Sequence, residues 1–403
     1  MKTKLALATL LLGSAAISAN EPAPVVTPGG TKVQMYGRLE LNSSYEDGLT
    51  NGLWSANAPP NANKDAQGRT TLSIARTRLG LNLEGPSKEG EPDLKGKFEA
   101  DFAGNSSYSN FNASSGFRVR QAWGSVNFKN FGTTLLFGMT DDVVNPLDPS
   151  AVNPSSFNGT GNLGNRRPQI RITQALGPTE IAVAATHDRT YGYTPKGTET
   201  AVTDANAPSS PGVQGRLGLK VPASWAGEKA NLAVGAGGLY AKNEAANAVD
   251  EKRFERPEPS YMFGLDLSLP IIDILTLTGE FFSGQNLSRY GDASLGQSRA
   301  YHDDGGIQSI GWWSGLAAKL PANLSAGAGV GAESLDDKSK RDTRAESNMF
   351  IFANVGYNFT SAAKLTLEYV NLSTDYTKID GDKKGSESGS LNRFELNFRY
   401  DFK

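Results

Sequence analysis

The sequence predicts an all-β fold, a transmembrane antiparallel β-barrel of about sixteen strands with a long third extracellular loop folded into its lumen. Three observations carry this expectation. Segments of about ten residues alternate apolar and polar side chains from residue 32 to the C-terminus, the pattern of strands with one face in lipid and one in water. The connections between them are short and long in turn, without a break, as in barrels with tight turns at one rim and loops at the other. After the N-terminus, no run reaches the roughly 20 apolar residues of a membrane-crossing helix.

The chain opens MKTKLALATLLLGSAAISA. Lys2 and Lys4 precede an apolar run, Leu5 to Leu12, and small residues lead to Ala19. Residues 1–19 therefore read as a secretory signal peptide. The apolar run is too short for an anchor helix, and no Cys precedes the cut. Residues 20–31 form a Pro-rich periplasmic tail, expected to be extended and mobile, and residues 32–403 form the barrel. The chain has no Cys, so backbone pairing rather than disulfides is expected to hold it. Its formal net charge of −2 gives a nucleic-acid role no support.

Candidate strands fall at 32–45, 71–85, 94–103, 116–128, 132–140, 168–175, 179–187 and 213–221. They continue at 230–241, 260–269, 273–284, 308–319, 323–334, 347–359, 363–375 and 391–402. In the first, Val33, Met35, Leu39 and Leu41 oppose Lys32, Gln34, Arg38 and Glu40. In the third, Leu94, Phe98, Ala100 and Phe102 oppose Lys95, Lys97, Glu99 and Asp101. The last sets Phe394, Leu396, Phe398, Tyr400 and Phe402 against Arg393, Glu395, Asn397, Arg399 and Asp401. A face this charged needs water, so a wet lumen is expected rather than a packed core. At 116–128 the parity slips, with Arg118 and Arg120 in step with Val126 and Phe128. Tyr36, Trp123, Trp312, Trp313, Tyr357 and Tyr400 lie near strand ends and are expected in interfacial girdles.

Short turns are expected at Asn130-Phe131, Gly177-Pro178, Pro222–Gly227, Pro270-Ile271, Pro321-Ala322 and Thr360-Ser361. Long loops are expected at 46–70, 104–115, 141–167, 188–212, 242–259, 285–307, 335–346 and 376–390. The third, 141–167, is rich in Pro, Asn, Gly and Ser. A loop of that length in a compact protein is functional or disordered, and here it is expected to fold inward and narrow the barrel.

Charged side chains at such a constriction set selectivity. Arg38, Arg76, Arg78, Arg118, Arg120, Arg171 and Arg216 have lumen-facing parity. Arg166 and Arg167 lie at the exit of the long loop, and Asp141, Asp142 and Asp148 at or near its entry. A basic wall facing an acidic loop sets a transverse field, and excess Arg favours anions. The competing expectation is that these arginines pair with Glu40, Glu84, Glu99 and Asp101 and only stiffen the wall.

No catalytic, metal or cofactor site is expected. The histidines, His187 and His302, sit at strand–loop borders without a placed nucleophile. The acid pairs Asp303 and Asp304, Asp336 and Asp337, and Asp380 and Asp382 read as solvated loop acids, with Ca²⁺ or Mg²⁺ binding and bridging to lipopolysaccharide as the alternatives. The stretch NGTGNLGN at 158–165 does not follow a strand into a helix and is not a phosphate cradle.

The segments MYGRLELNSSY (35–45), ARTRLGLNLEG (75–85), LKGKFEADF (94–102), RVRQAWGSVNFKNFGTTLLFGMTDD (118–142) and NRRPQIRITQ (165–174) together resemble the Gram-negative outer-membrane porins. FFSGQNLSRYG (281–291) and GGIQSIGWWSGLAAKLPANLSAGAG (305–329) are similar to the DcaP-like branch. The resemblance covers nearly all of the chain after the signal peptide. It implies a sixteen-stranded barrel in the outer membrane, among its lipid and lipopolysaccharide, commonly a homotrimer, with loop 141–167 folded inward. It also implies small anionic solutes such as dicarboxylates. Two features depart from that pattern. A short Pro-rich tail stands in place of the helical N-terminal extension of the branch, and Lys403 follows Phe402 where a terminal Phe is expected. The function expected is passive diffusion of small hydrophilic, anionic solutes through a water-filled channel. The alternatives are a non-conducting barrel serving as structural anchor or surface adhesin, its lumen plugged by the loop, and a barrel enzyme acting on lipids.

Overall fold

The computed structural model describes residues 24–48, 68–86, 88–104, 116–153, 157–188, 210–242, 259–291, 295, 306–336, 345–380 and 383–403. The signal peptide, His302, the acids Asp303, Asp304, Asp337 and Asp382, and most of the long loops lie outside these residues.

The strands are β1 (Val25–Val26), β2 (Lys32–Glu46), β3 (Arg69–Ser73), β4 (Arg78–Glu84), β5 (Asp93–Asp101) and β6 (Arg118–Phe128). Then come β7 (Thr133–Asp141), β8 (Arg166–Leu176), β9 (Thr179–Thr186), β10 (Gly212–Pro222), β11 (Asn231–Ala241) and β12 (Ser260–Ile272). The last six are β13 (Leu275–Gln285), β14 (Gln308–Lys319), β15 (Leu324–Leu335), β16 (Ala345–Asn358), β17 (Ala363–Asp380) and β18 (Lys383–Phe402). Consecutive wall strands pair antiparallel, and β18 returns to β2 from Phe402↔Gly37 to Arg393↔Glu46. Both β3 and β4 pair with β2 and form one interrupted wall strand, so β2 to β18 close a sixteen-stranded barrel. Closure pairs every wall strand on both sides and removes sheet edges. β1 is a short addition outside the ring, pairing Val25 with Val33 and Val26 with Lys32.

Alternation explains which face goes where. On β18, Phe394, Leu396, Phe398 and Tyr400 are 43–48% exposed on the outer face. Arg393, Glu395 and Asn397 between them are at most 6% exposed on the inner face. The parity slip at 116–128 is a β-bulge: Glu99 pairs with Gln121 but Ala100 pairs with Val119, leaving Arg120 as the extra residue. A bulge re-aims the strand by one residue, so Arg118 and Arg120 join Gln121, Trp123 and Ser125 on the inner face.

Three expectations are corrected. Of the six proposed girdle aromatics, Trp312, Tyr357 and Tyr400 face outward at 43–44% exposure. Tyr36, Trp123 and Trp313 face inward, donating hydrogen bonds to Glu99, Gln121 and Glu280; adjacent Trp312 and Trp313 cannot share a face of a strand. The segment 376–390 is largely strand, because β17 and β18 stay in register out to Asp380↔Lys383. The turn expected at Pro270-Ile271 falls at Asp273-Ile274, where a register shift between Pro270 and Ile272 lengthens β12.

Candidate functional site

The inner wall from β18 through β2, β4 and β5 to β6 carries a lateral row of charges. Asp401 is opposite Arg38, Arg38 opposite Arg78, Arg78 opposite Asp101, and Asp101 opposite Arg118. Arg118 bonds Asp101 at 2.7–2.9 Å, and Arg120 bonds Glu99 at 2.9 Å and Asp101 at 3.0 Å. Arg78 reaches Glu99 at 3.6 Å, and Arg38 and Arg76 reach Glu40 at 3.5 and 3.3 Å. Arg76 sits in the break between β3 and β4, where Thr77 bonds the backbone of Glu40 in place of the ladder. Freed from the strand, its guanidinium donates to the carbonyl of Val152. The pairing expectation thus holds for Glu40, Glu99 and Asp101, yet cations outnumber these acids.

Between β7 and β8 the backbone runs across a different set of inner-face side chains. Val143 N–H donates to Gln214 on β10 at 2.8 Å, Leu147 N–H to Glu280 on β13 at 2.7 Å, and Val152 N–H to Glu368 on β17 at 2.7 Å. Asn354 and Asn348 on β16 donate to the carbonyls of Ser150 and Gly159, both at 3.0 Å. Phe157 is fully buried, with ring centroids 4.5 Å from Phe350, 5.5 Å from Phe352 and 6.3 Å from Trp313. Glycines of β15 make room for the loop. A Cβ on Gly331 would collide with the Thr160 carbonyl and stand 2.7 Å from the Phe157 ring, and one on Gly327 would meet Ser150 Oγ at 2.9 Å. In the loop, Gly161 has φ +105°, with the Trp312 carbonyl against it, so only glycine fits there.

The loop ends are tied by a buried ion cluster. Arg167 bonds Asp142 at 2.7 Å, pairs with Asp188, and lies 4.2 Å from the Tyr290 ring. Gln214 also donates to Asp142 at 2.8 Å. Asp142 and Arg167, expected on a constriction, hold the loop ends instead, their side chains 1% and 7% exposed. Asp141 is 65% exposed and faces Arg166 at 3.6 Å. Arg171 donates to the Asp141 carbonyl and to Gln169, and Arg216 is held by both oxygens of Asp266 at 2.7–2.8 Å. Asp148 is exposed at its surface and partly desolvated by the protein around it. That desolvation and the neighbouring Asp141 push its carboxyl above the usual range, against the pull of Arg120, Arg166 and Arg78.

A cavity of about 200 Å³ lies against residues 150–152 of this loop and is lined by Arg38, Arg76, Lys364 and Arg399. Parity places Arg399 on the polar face of the last strand, but nothing in the sequence links it to Lys364. The two are directly opposite across β17 and β18. Nor does the sequence single out Glu280, Glu368 or Gln214. One signal is present: Gly327, Gly329 and Gly331 recur at every second residue of β15, which marks a face with no side chains.

No family model matches the sequence, and no curated protein matches it. Solved structures do match. The outer membrane channel DcaP of Acinetobacter baumannii is similar with a TM-score of 0.73 at 20% identity, over 94% of this chain and 100% of that one. The fold is that of the outer-membrane porins. An anion-selective porin from Comamonas acidovorans is similar with a TM-score of 0.58 at 15% identity, over 92% of this chain and 100% of that one. The trimer form of OmpT, an outer membrane protein of Vibrio cholerae, has a TM-score of 0.55 at 14% identity, over 92% of this chain and 99% of that one. The porin fold supplies the closed wall; the charges on it belong to this chain.

Proposed function

We propose that this barrel is an outer-membrane porin of a Gram-negative envelope, a water-filled channel for passive diffusion of small hydrophilic solutes with a preference for anions. The observation that carries the reading is the charge excess of one row of the inner wall. Arg38, Arg76, Arg78, Arg118, Arg120, Lys364 and Arg399 face Glu40, Glu99, Asp101 and Asp401, seven cations less four acids, or a net +3. Rings of such charge select ions by sign. Loop 141–167 is read as the constriction, on the support of its hydrogen bonds to inner-face groups of β10, β13, β16 and β17. Asp141 and Asp148 then form its acidic lip. An anion-selective barrel of the same fold is consistent with this reading, as a trimeric one is with a homotrimer. The apolar outer face fits lipid. No enzymatic role enters this reading.

Planar-bilayer recording of the detergent-purified protein in a KCl gradient tests it. Stepwise conductance with a reversal potential favouring Cl⁻ is the expected result. A K⁺ preference would keep the channel and hand selectivity to Asp141 and Asp148. A folded, heat-modifiable barrel that gives no steps would overturn the channel and leave a structural anchor or adhesin.

A further inference from the structure

The cavity beside residues 150–152 contains an electrostatic conflict that the wall does not resolve. Lys364 and Arg399 are directly opposite on β17 and β18, and Arg38 and Arg78 directly opposite on β2 and β4. Like charges in that position destabilise a sheet. Arg399 has Asp401 at 2.7 Å, and Arg38 shares Glu40 with Arg76. Lys364 has no hydrogen bond or ion pair among the described residues. Its stem lies over Gly356, where a Cβ would collide with it. The glycine therefore keeps open the course that the lysine takes.

The rest of the lining is polar and neutral. Asn354, Asn397, Thr366 and Ser150 alternate with the cations, and only Ala151 and Val152 are apolar. Counting the lining cations Arg38, Arg76, Lys364 and Arg399 against Glu40 and the adjoining Asp401 and Glu368, the latter bonded to the lining Asn354 and Val152, leaves four less three, or +1. A pocket below the size of drug-sized sites suits a compact solute. An extra positive charge asks for an anion, and amide oxygens and a hydroxyl among the cations ask for hydroxyls on the same molecule.

We propose that this cavity is a binding subsite for polyhydroxylated anions of monosaccharide size, sugar phosphates or sugar acids. The proposal rests on the channel reading for its access route but not for its binding chemistry. The anionic group lies between Lys364 and Arg399 and relieves their repulsion. The hydroxyls donate to the amide oxygens of Asn354 and Asn397, whose N–H groups are held by Ser150, Glu368 and Glu40, and exchange hydrogen bonds with Thr366. A solute with the charge but no hydroxyls offers these amide oxygens and the Thr366 hydroxyl nothing, and a site that bonds hydroxyls discriminates against such an analogue.

The test is isothermal titration of the full chain in detergent with glucose 6-phosphate, glucuronate, succinate and glucose, run beside bilayer recording in KCl. Either or both sugar anions are expected to bind about tenfold or more tightly than succinate or glucose. Binding of glucose 6-phosphate alone assigns phosphate as the anionic group, and binding of glucuronate alone assigns carboxylate. Lys364→Gln is expected to weaken the binding about tenfold and Lys364→Arg to retain it, a charge-assisted contact being lost only in the first. Succinate binding as tightly as the sugar anions overturns the proposal, because charge alone then suffices. So does glucose binding as tightly, or the absence of all binding from a barrel that conducts Cl⁻. Sugar-anion binding by a barrel that never conducts overturns the channel and leaves the subsite standing.

Discussion

The inner wall at β18, β2, β4, β5 and β6 projects long cationic side chains, whereas at β14 and β15 it offers Gly327, Gly329 and Gly331, with Phe350 and Phe352 of β16 beside them. Both arcs are built on the same antiparallel ladder. In the first, guanidinium groups are spaced by acids and leave a polar cavity. In the second, missing side chains open a recess that Phe157 and the backbone around Thr160 fill. The wall's hydrogen bonds are indifferent to this choice. Side-chain volume and charge on one face decide what packs against it.

The largest expected effect comes from the filled arc. Phe157→Ala removes a fully buried ring and is expected to cost about 3–5 kcal/mol of loop docking. Larger single-channel conductance and new protease sensitivity within 141–167 would report it. Wild-type behaviour in both would mean that the glycine recess does not hold the loop. Glu280 comes next, since it accepts from both Leu147 N–H and Trp313 Nε1. Glu280→Leu strands two buried donors at about 1–3 kcal/mol each, and Glu280→Gln, which keeps an acceptor, is expected to lose less. Thermal unfolding of the two variants ranks them.

In the open arc the effects are read as selectivity. Arg78→Gln removes one charge, worth about 1 kcal/mol at contact range in water, and should lower the Cl⁻/K⁺ permeability ratio by up to about fivefold. An unchanged ratio would move the filter away from this row. The smallest effect belongs to Asp148, whose carboxyl is raised by its enclosure and by Asp141. A raised carboxyl takes up its proton as pH falls through a value above the ordinary 3.9 or so. Below that point its negative charge is gone and Cl⁻ preference rises. In Asp148→Asn this step should vanish from the pH dependence of the reversal potential; a step of the same size in both proteins would assign it to another acid.

Much of this is legible in the residues. The sixteen wall strands follow from period-two alternation, which reports the pleat directly, and their order follows from the spacing of turns. Arg38 and Arg78 follow from parity; Arg118 and Arg120 reach the inner face only through the bulge, which the slip at 116–128 marks without locating. Asp142 and Arg167 are misplaced by sequence because a charge beside a loop looks the same there whether it faces water or a buried partner. Trp313 is misplaced for a similar reason: proximity to a strand end does not say which face a ring takes.

By itself, the sequence determined the two-faced alternation of the strands outside the 116–128 bulge, because a strand's side-chain period is local. Only the tertiary structure decided which strands meet across the closure and which groups the 141–167 backbone reaches. It set Lys364 against Arg399, brought Arg76 to the Val152 carbonyl and seated Phe157 over Gly331. Those contacts join residues far apart in the chain through register and packing, and no local pattern carries either.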